Sequence, residues 1–186
     1  MKDTAPHKGP RAGDILIAHP DMPENVFART LVFLHTFSDE GALGFILNRP
    51  LGQVLGQIAS GQALPTMLKR LPLFYGGPVH SDHFILTHFL PDTSGHSFHC
   101  EMNPDPKQIQ SPKNRSSDIL RACMGFAGWS AGQLEDEIHR GDWTWTSSDK
   151  ALLRDPIGPA TWNLLSSGDQ RWKLLRSYLP PETGLN

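Results

Sequence analysis

Short apolar runs separated by turn residues fill the first half of the chain. The mainly apolar residues 14–18 stop before Pro20 and Pro23, which predicts a buried strand. Residues 31–47 are rich in β-branched and aromatic side chains around a turn signal at 38–41, which predicts an antiparallel hairpin with a four-residue loop. Residues 73–75 and 83–89 predict two more strands, separated by the turn Gly76-Gly77-Pro78.

Helical spacing is weaker and lies mostly in the second half. Residues 52–70 have a faint helical pattern that ends in Lys69 and Arg70, cations favoured at a helix carboxyl terminus. Residues 133–140, 149–154 and 159–167 predict three more short helices, and the alternation at 143–145 predicts a strand. Residues 91–117 are rich in proline, serine and asparagine, and predict an irregular excursion around one strand at 97–101.

The segment 128–138 permits two opposite interpretations. Residues 128–132 match G-x-S-x-G, the nucleophile elbow of serine hydrolases, with Ser130 as the nucleophile. That motif requires a histidine later in the chain. The histidine that follows, His139, lies on the same predicted helix, about 13 Å along its axis. The elbow interpretation is therefore disfavoured.

The same residues have the pattern of a capped amphipathic helix. Ser130 followed by Gln133 predicts a capping box in which Ser130 is the N-cap. Asp136 and Arg140 have the i, i+4 spacing of an ion pair, and Gly141 has the position of a C′ residue. We prefer this structural interpretation of the segment.

Composition narrows the classes of function. The chain has 186 residues, and its formal net charge of −2 argues against a broad surface for nucleic acid. Cys100 and Cys123 match no metal-ligand spacing and fit a reducing cytoplasm. The chain has no apolar run near the ~20 residues that cross a bilayer, and residues 1–11 lack a signal-peptide core. We expect a cytoplasmic protein without a cofactor and without membrane contact.

Histidines cluster in the middle of the chain, and neutral imidazoles are common ligands of transition metals. Because His83 and His88 are five residues apart on a predicted strand, their side chains should lie on opposite faces. No helical His-x-x-x-His and no Cys-x-x-Cys supports ligation. We therefore expect surface or hydrogen-bonded histidines rather than a metal site. The cluster consists of His80, His83, His88, His96 and His99.

Three blocks of sequence make the chain resemble the AlgH/YqgE family of small bacterial proteins. The first block combines GDILIAHP at 13–20 with FART at 27–30 and GALGFILNRP at 41–50. The second block is GGPV at 76–79. The third block comprises residues 125–138 together with Trp143. In the family, the position of Ser130 accepts glycine and that of Ala131 is usually proline. The resemblance therefore also argues against a nucleophilic Ser130.

The resemblance implies an α+β fold of coiled, partly barrel-like, mainly antiparallel sheets with peripheral short helices. The polar, proline-containing start of the chain predicts a flexible N-terminal tail at 1–12. The resemblance implies a single domain at 13–168, and residues 169–186, which depart from the family, are expected to form a C-terminal extension. The resemblance implies no established enzymatic activity, although some relatives are described as regulators of gene expression.

The leading hypothesis is a non-catalytic binding or regulatory protein that acts through another protein. The candidate surface is the acidic helix 133–140 together with Arg29 and Arg49, for which salt bridges to Asp14 or Glu40 are the structural alternative. A hydrolase using Ser130 or a histidine-bound metal is the second hypothesis, and a DNA-binding transcriptional regulator is the third. No catalytic, cofactor or metal residue is predicted. The candidate interaction or structural residues are Arg29, Asn48, Arg49, Gly76, Gly77, Pro78, Trp129, Gln133 and Glu135.

Overall fold

Strands form most of the regular structure of this protein. The computed structural model describes residues 9–61, 63–93, 97–105, 109, 118–154 and 159–166. Its strands are β1 Asp14–Ala18, β2 Leu31–Ser38, β3 Gly41–Ile46, β4 Pro50–Val54, β5 Pro72–Tyr75, β6 Val79–Pro91, β7 Phe98–Met102, β8 Ile119–Ser130 and β9 Trp143–Ser147. Its helices are short: α1 Leu55–Ile58, α2 Thr66–Lys69, α3 Gln133–His139, α4 Lys150–Arg154 and α5 Pro159–Ser166.

The strands form one open sheet in which β8 is shared between two parts. The order is β4-β5-β8-β3-β2-β1-β9, and β6 pairs with both β8 and β7. The first two thirds of β8 pair with β5 and β6, whereas its last residues pair with β3. The β5–β8 pairing is parallel, and the others described are antiparallel. The α+β class with mainly antiparallel strands is confirmed. Residues 1–8 of the predicted N-terminal tail at 1–12, and the whole predicted C-terminal extension at 169–186, lie outside the described residues.

The predicted hairpin is confirmed, but its loop is shorter than expected. Strands β2 and β3 pair from Val32–Ile46 to Ser38–Gly41, so Asp39 and Glu40 alone form the turn. The expected four-residue loop is wrong because its first and last residues belong to the ladder.

The predicted helix at 52–70 is also wrong in its first part. Residues 50–54 form β4, which pairs with β5, and two one-turn helices follow. Gly61 and Pro65 separate these two helices, because glycine and proline are the weakest helix formers. The predicted basic residue at the carboxyl end of the helix is observed, since Lys69 lies in the last turn of α2.

Two apolar layers cover the faces of the central strands. Alternate residues of β1 and β2 lie on opposite faces, and Ile15 and Phe33 belong to one cluster while Leu16 and Val32 belong to the other. The first cluster includes Leu152, Leu153 and Trp162 of α4 and α5, and the second includes Leu134 of α3. Strand β1 is therefore buried on both faces, as its continuous apolar run predicted.

Three glycines allow the chain after β5 to pass directly against β8. A Cβ at Gly76 would lie 2.3 Å from the carbonyl oxygen of Gly125. One at Gly77 would lie 2.2 Å from the carbonyl carbon of Phe126. The Gly76 amide donates to the carbonyl of Met124 at 2.8 Å, so this hydrogen bond continues the contact between β5 and β8. We call this contact of Gly76, Gly77 and Gly125 the glycine crossing.

Alanine at position 76 should lower the free energy of unfolding by about 3 kcal/mol or more, because the added Cβ meets backbone that cannot move without shifting β8. Gly61→Ala is the matched control, since no atom lies within 4 Å of its added Cβ. Its effect should stay within about 0.5 kcal/mol. Urea denaturation measures both values, and equal stabilities of the two variants would contradict the close approach.

A β-bulge in β2 places a histidine in an apolar environment. His35 is the extra residue between the pairs Leu34–Gly44 and Thr36–Leu43. Its ring lies 6.1 Å from that of Phe45, and its Nδ1 is buried without a hydrogen-bond partner among the described residues. Burial lowers the pKa of His35 below its ordinary value of 6.5, since desolvation disfavours the imidazolium.

This pKa shift predicts a loss of stability in mild acid. Below pH 6.5 the unfolded chain binds a proton at His35 that the folded chain resists, so stability falls as the pH is lowered through that value. His35→Gln removes the titration. Thermal unfolding at pH 7.5 and 5.5 should therefore show a smaller pH-dependent decrease of Tm in the variant than in the wild type. An equal decrease would exclude His35 as a source.

Candidate binding site

The loop between β1 and β2, residues 19–30, lies against α3 and forms a pocket with it. The pocket has a volume of about 330 Å³. Its wall from the loop consists of Met22, Pro23, Asn25 and Phe27. The opposite wall consists of Glu137, Arg140, Asp142 and Trp143. We call this cavity the α3 pocket.

Glu137 is the polar centre of the α3 pocket. Its Oε2 accepts hydrogen bonds from the indole Nε1 atoms of Trp129 and Trp143, each at 2.8 Å. Its Oε1 accepts a third from the side-chain amide of Gln133 at 2.9 Å. The two tryptophans are buried, and a buried indole N–H requires an acceptor. The carboxylate therefore joins the ends of β8 and β9 to α3.

Aromatic rings attach the loop to this centre. The ring of Phe27 stacks on that of Trp129 at 5.8 Å and meets the edge of Trp143 at 5.9 Å. The two indole rings lie 6.0 Å apart, nearly perpendicular. Such offset and edge-to-face pairs stabilise by about 0.5–1.5 kcal/mol beyond area burial.

Asn48 and Arg49 hold the end of the same loop. The Asn48 side chain donates to the carbonyl of Arg29 at 2.9 Å and accepts from the amide of Leu31 at 3.0 Å. Arg49 donates to the carbonyl of Ala28 at 2.6 Å. Arg29 adopts a left-handed backbone with φ 56°, and Asn48 therefore fixes an unusual turn.

The expected salt bridges of these arginines have other partners. Arg29 pairs with Glu24, not with Asp14 or Glu40, and both groups are exposed. Arg49 binds a backbone carbonyl instead. The Phe27 ring of the loop packs against Trp129 of β8 and Trp143 of β9, and the loop faces α3 across the pocket. The side chains of Arg29 and Arg49 both bind residues of the loop.

The predicted capping box is wrong. Strand β8 continues through Ser130, which pairs with Gly41, so Ser130 cannot be the N-cap. The N-cap is Gly132, whose φ of 76° is accessible to glycine. The Gln133 Oε1 accepts instead from the Ser130 amide and hydroxyl, each at 3.1 Å.

The other end of α3 is partly as expected. Arg140 pairs with Asp142 at 2.8 Å rather than with Asp136. Gly141 has the left-handed φ of 82° that a C′ residue adopts.

Ser130 lies at a strand–turn–helix junction, and within the described part of the chain its hydroxyl bonds to no histidine or carboxylate. Its hydroxyl donates to an amide oxygen, which cannot take its proton. The Nδ1 of His139 lies 2.7 Å from the backbone carbonyl of Glu135. The geometry of this junction thus lacks the serine–histidine contact that a nucleophile needs.

The predicted candidates divide into three groups. Trp129 and Gln133 belong to the α3 pocket through Glu137, while Arg29, Asn48 and Arg49 shape its loop. Gly76 and Gly77 are buried in the glycine crossing, followed by the exposed Pro78. Glu135 is half-buried on α3, and its Oε2 has no hydrogen-bond partner among the described residues. Sequence reasoning missed the carboxylate of Glu137, although two tryptophans near an acidic helix were a usable signal.

The histidines lie in different environments. The ligand atoms of His80, Asp82 and His83 lie within 4.8 Å of one another on the surface. His83 lowers the pKa of Asp82 through a hydrogen bond, with 2.9 Å between Nδ1 and Oδ1. His88 is buried, and its Nε2 is 3.5 Å from Asp118. His83 is exposed and His88 is buried, so the two side chains lie in different environments. His99 is exposed on β7, and His96 lies outside the described residues.

The two cysteines are free and buried. Burial raises the pKa of both thiols, that of Cys123 to about 11. Neither is therefore a reactive thiolate near neutral pH. Within the described part of the chain, no helix is both long and apolar enough to span a membrane.

An open sheet, a loop held by Asn48 and Arg49, and a pocket centred on Glu137 characterise this α+β protein. Residues 15–171 match the model of the AlgH-like family. A UPF0301 protein of Stutzerimonas stutzeri is 33% identical over 171 residues, which cover 83% of this chain and 85% of the relative. A UPF0301 protein of Azoarcus sp. is 35% identical over 155 residues, covering 75% and 79%.

Solved structures show the same fold. The solution structure of AlgH from Pseudomonas aeruginosa has a TM-score of 0.63 and 25% identity, covering 97% of this chain and 100% of that chain. A crystal structure of a Corynebacterium diphtheriae protein has a TM-score of 0.66 at 19% identity, covering 89% and 90%, and supports the fold alone. The chain belongs to the AlgH-like family, as the three sequence blocks predicted.

Glu137→Ala should lower the free energy of unfolding by about 2–3 kcal/mol, because it leaves two largely buried indole N–H groups without an acceptor. Asp136→Ala is the matched control, since Asp136 is exposed on the same helix. That change should stay within about 0.5 kcal/mol. Chemical denaturation gives the values, and NMR of the indole N–H resonances locates the cause. Unmoved indole resonances in the Glu137 variant would contradict the assignment.

Proposed function

We propose that this chain is a non-catalytic, cytoplasmic binding protein that takes a basic segment of another protein in the α3 pocket. Any effect on gene expression would then follow indirectly, through the partner. The observation that carries the proposal is the Glu137 carboxylate, fixed by three donors at the wall of an aromatic pocket. Preorganised groups of this kind reduce the entropic cost of binding.

The geometry of Glu137 favours a cationic occupant. A carboxylate offers about four acceptor positions, and Trp129, Trp143 and Gln133 fill three of them. The remaining one is available to an ammonium or guanidinium group. The Phe27 ring lines the same space and could receive that cation on its face.

The charges around the pocket agree with this choice. Arg140 is already paired with Asp142 through two hydrogen bonds, from Nε at 3.1 Å and Nη2 at 2.8 Å. Glu24 on the loop is likewise paired with Arg29, and exposed Asp21 adds negative charge. A positively charged segment is therefore attracted, whereas nucleic acid is repelled.

Photo-crosslinking in cells tests the proposal. A photoreactive residue placed at Met22, in the wall of the pocket, should give a discrete crosslinked protein. The same residue at Met67, which is exposed on α2, should not give that product. Mass spectrometry should map the crosslink to a segment that contains lysine or arginine.

Two results would refute the proposal. The first is the same set of products from both positions, which would indicate non-specific contact. The second is a product mapped to a segment without a basic residue, which would remove the role given to Glu137.

A further inference from the structure

We infer that His80, Asp82 and His83 form a binding site for one divalent transition-metal ion of the zinc class. Strand alternation and the absence of a metal-ligand spacing argued against a metal among these histidines, but β6 is not a regular strand at His80 and His83. The site shares no residue with the α3 pocket, so its test is independent of the proposed function. Two imidazoles and a carboxylate are a donor set that zinc and related ions prefer.

The three residues meet because β6 is bulged. Val79 pairs with Phe126 and Phe84 pairs with Met124, so residues 80–83 lie opposite Gly125 alone. We call this segment the β6 bulge. A regular strand would place His80 and Asp82 on one face and His83 on the other. The bulge removes that alternation and brings their ligand atoms within 4.8 Å of one another.

The glycine crossing maintains the β6 bulge. Gly125 has a left-handed φ of 65°, and a Cβ there would lie 2.5 Å from the carbonyl oxygen of Val79 and 2.9 Å from the Cα of Ser81. His80 also has a left-handed backbone, with φ 51°. The conformation that gathers the ligands is therefore imposed by the sheet beneath them.

The arrangement of the side chains is close to that of a loaded site. In a tetrahedral zinc site, ligand atoms about 2.1 Å from the ion are about 3.3 Å apart. Asp82 Oδ1 and His83 Nδ1 are 2.9 Å apart. A metal ion would replace the proton that these two groups share.

His80 supplies the third ligand. Its ring packs 5.8 Å from Phe126 and lies nearly perpendicular to that of His83 at 6.2 Å. All three ligand residues are exposed, so rotation of their side chains can close the remaining gap, and solvent can fill a fourth position.

Calorimetric titration of the full, untagged chain with ZnCl₂ tests the inference. The wild type should bind one equivalent of Zn²⁺. His80→Ala, His83→Ala and Asp82→Asn should each weaken that binding by more than about tenfold, since each removes a ligand. His99→Ala is the matched control, because His99 is an exposed histidine on β7 outside the bulge, and it should keep wild-type affinity.

A second measurement separates ligand loss from misfolding. Zn²⁺ should raise the Tm of the wild type and of His99→Ala, and should raise the Tm of the three ligand variants by clearly less at the same zinc concentration. Without zinc, all variants should unfold near the wild-type temperature, because the substituted side chains are exposed. The site is overturned if the wild type binds no zinc, if any ligand variant keeps its affinity, or if His99→Ala loses as much as His80→Ala.

Discussion

The fold depends on a steric constraint, the absence of side chains at the glycine crossing. Because Gly76 and Gly77 have no Cβ, the chain leaving β5 can lie directly on the backbone of β8 around Gly125. The same segment joins β3, since the amide of Ile46 donates to the carbonyl of Gly76 at 2.9 Å. Strand β3, the chain after β5 and strand β8 therefore meet at this point, where their main chains must lie close together to form their hydrogen bonds.

Polar side chains with several hydrogen-bond partners fix the relative positions of the strands and helices, which apolar packing alone does not do. The guanidinium of Arg121 is buried, donates to the carbonyls of Leu47 and Leu153, and lies 4.5 Å from the centre of the Phe74 ring. Glu137 has the corresponding role on the other face of the sheet, where its carboxylate accepts hydrogen bonds from two indole N–H groups. Apolar contacts are non-directional and permit small shifts of one element against another. A buried donor that has found its acceptor permits one arrangement of strands and helices.

Much of the fold could be predicted from local patterns. The β-branched and aromatic residues around the turn signal in 31–47, and the apolar run at 14–18, identified β1, β2 and β3, because these signals are local. The helix at 52–70 could not be resolved, since the pairing of β4 with β5 is a long-range contact that overrides weak propensity. The residues of the α3 pocket were predicted only in part. Trp129 and Gln133 were selected, but the role of Glu137 depends on Trp143, which belongs to a different strand.

The position of β1 also determines when the chain can fold. This strand is buried between β2 and β9, and Ala18 pairs with Trp143 while its carbonyl accepts from the Trp162 indole at 2.9 Å. During synthesis, β1 emerges first but lacks its second neighbour until β9 has left the ribosome. In that interval an apolar strand has an unpaired edge, which is a template for pairing between chains. Because β1 and β9 are far apart in sequence, their pairing forms more slowly than the local β2–β3 hairpin.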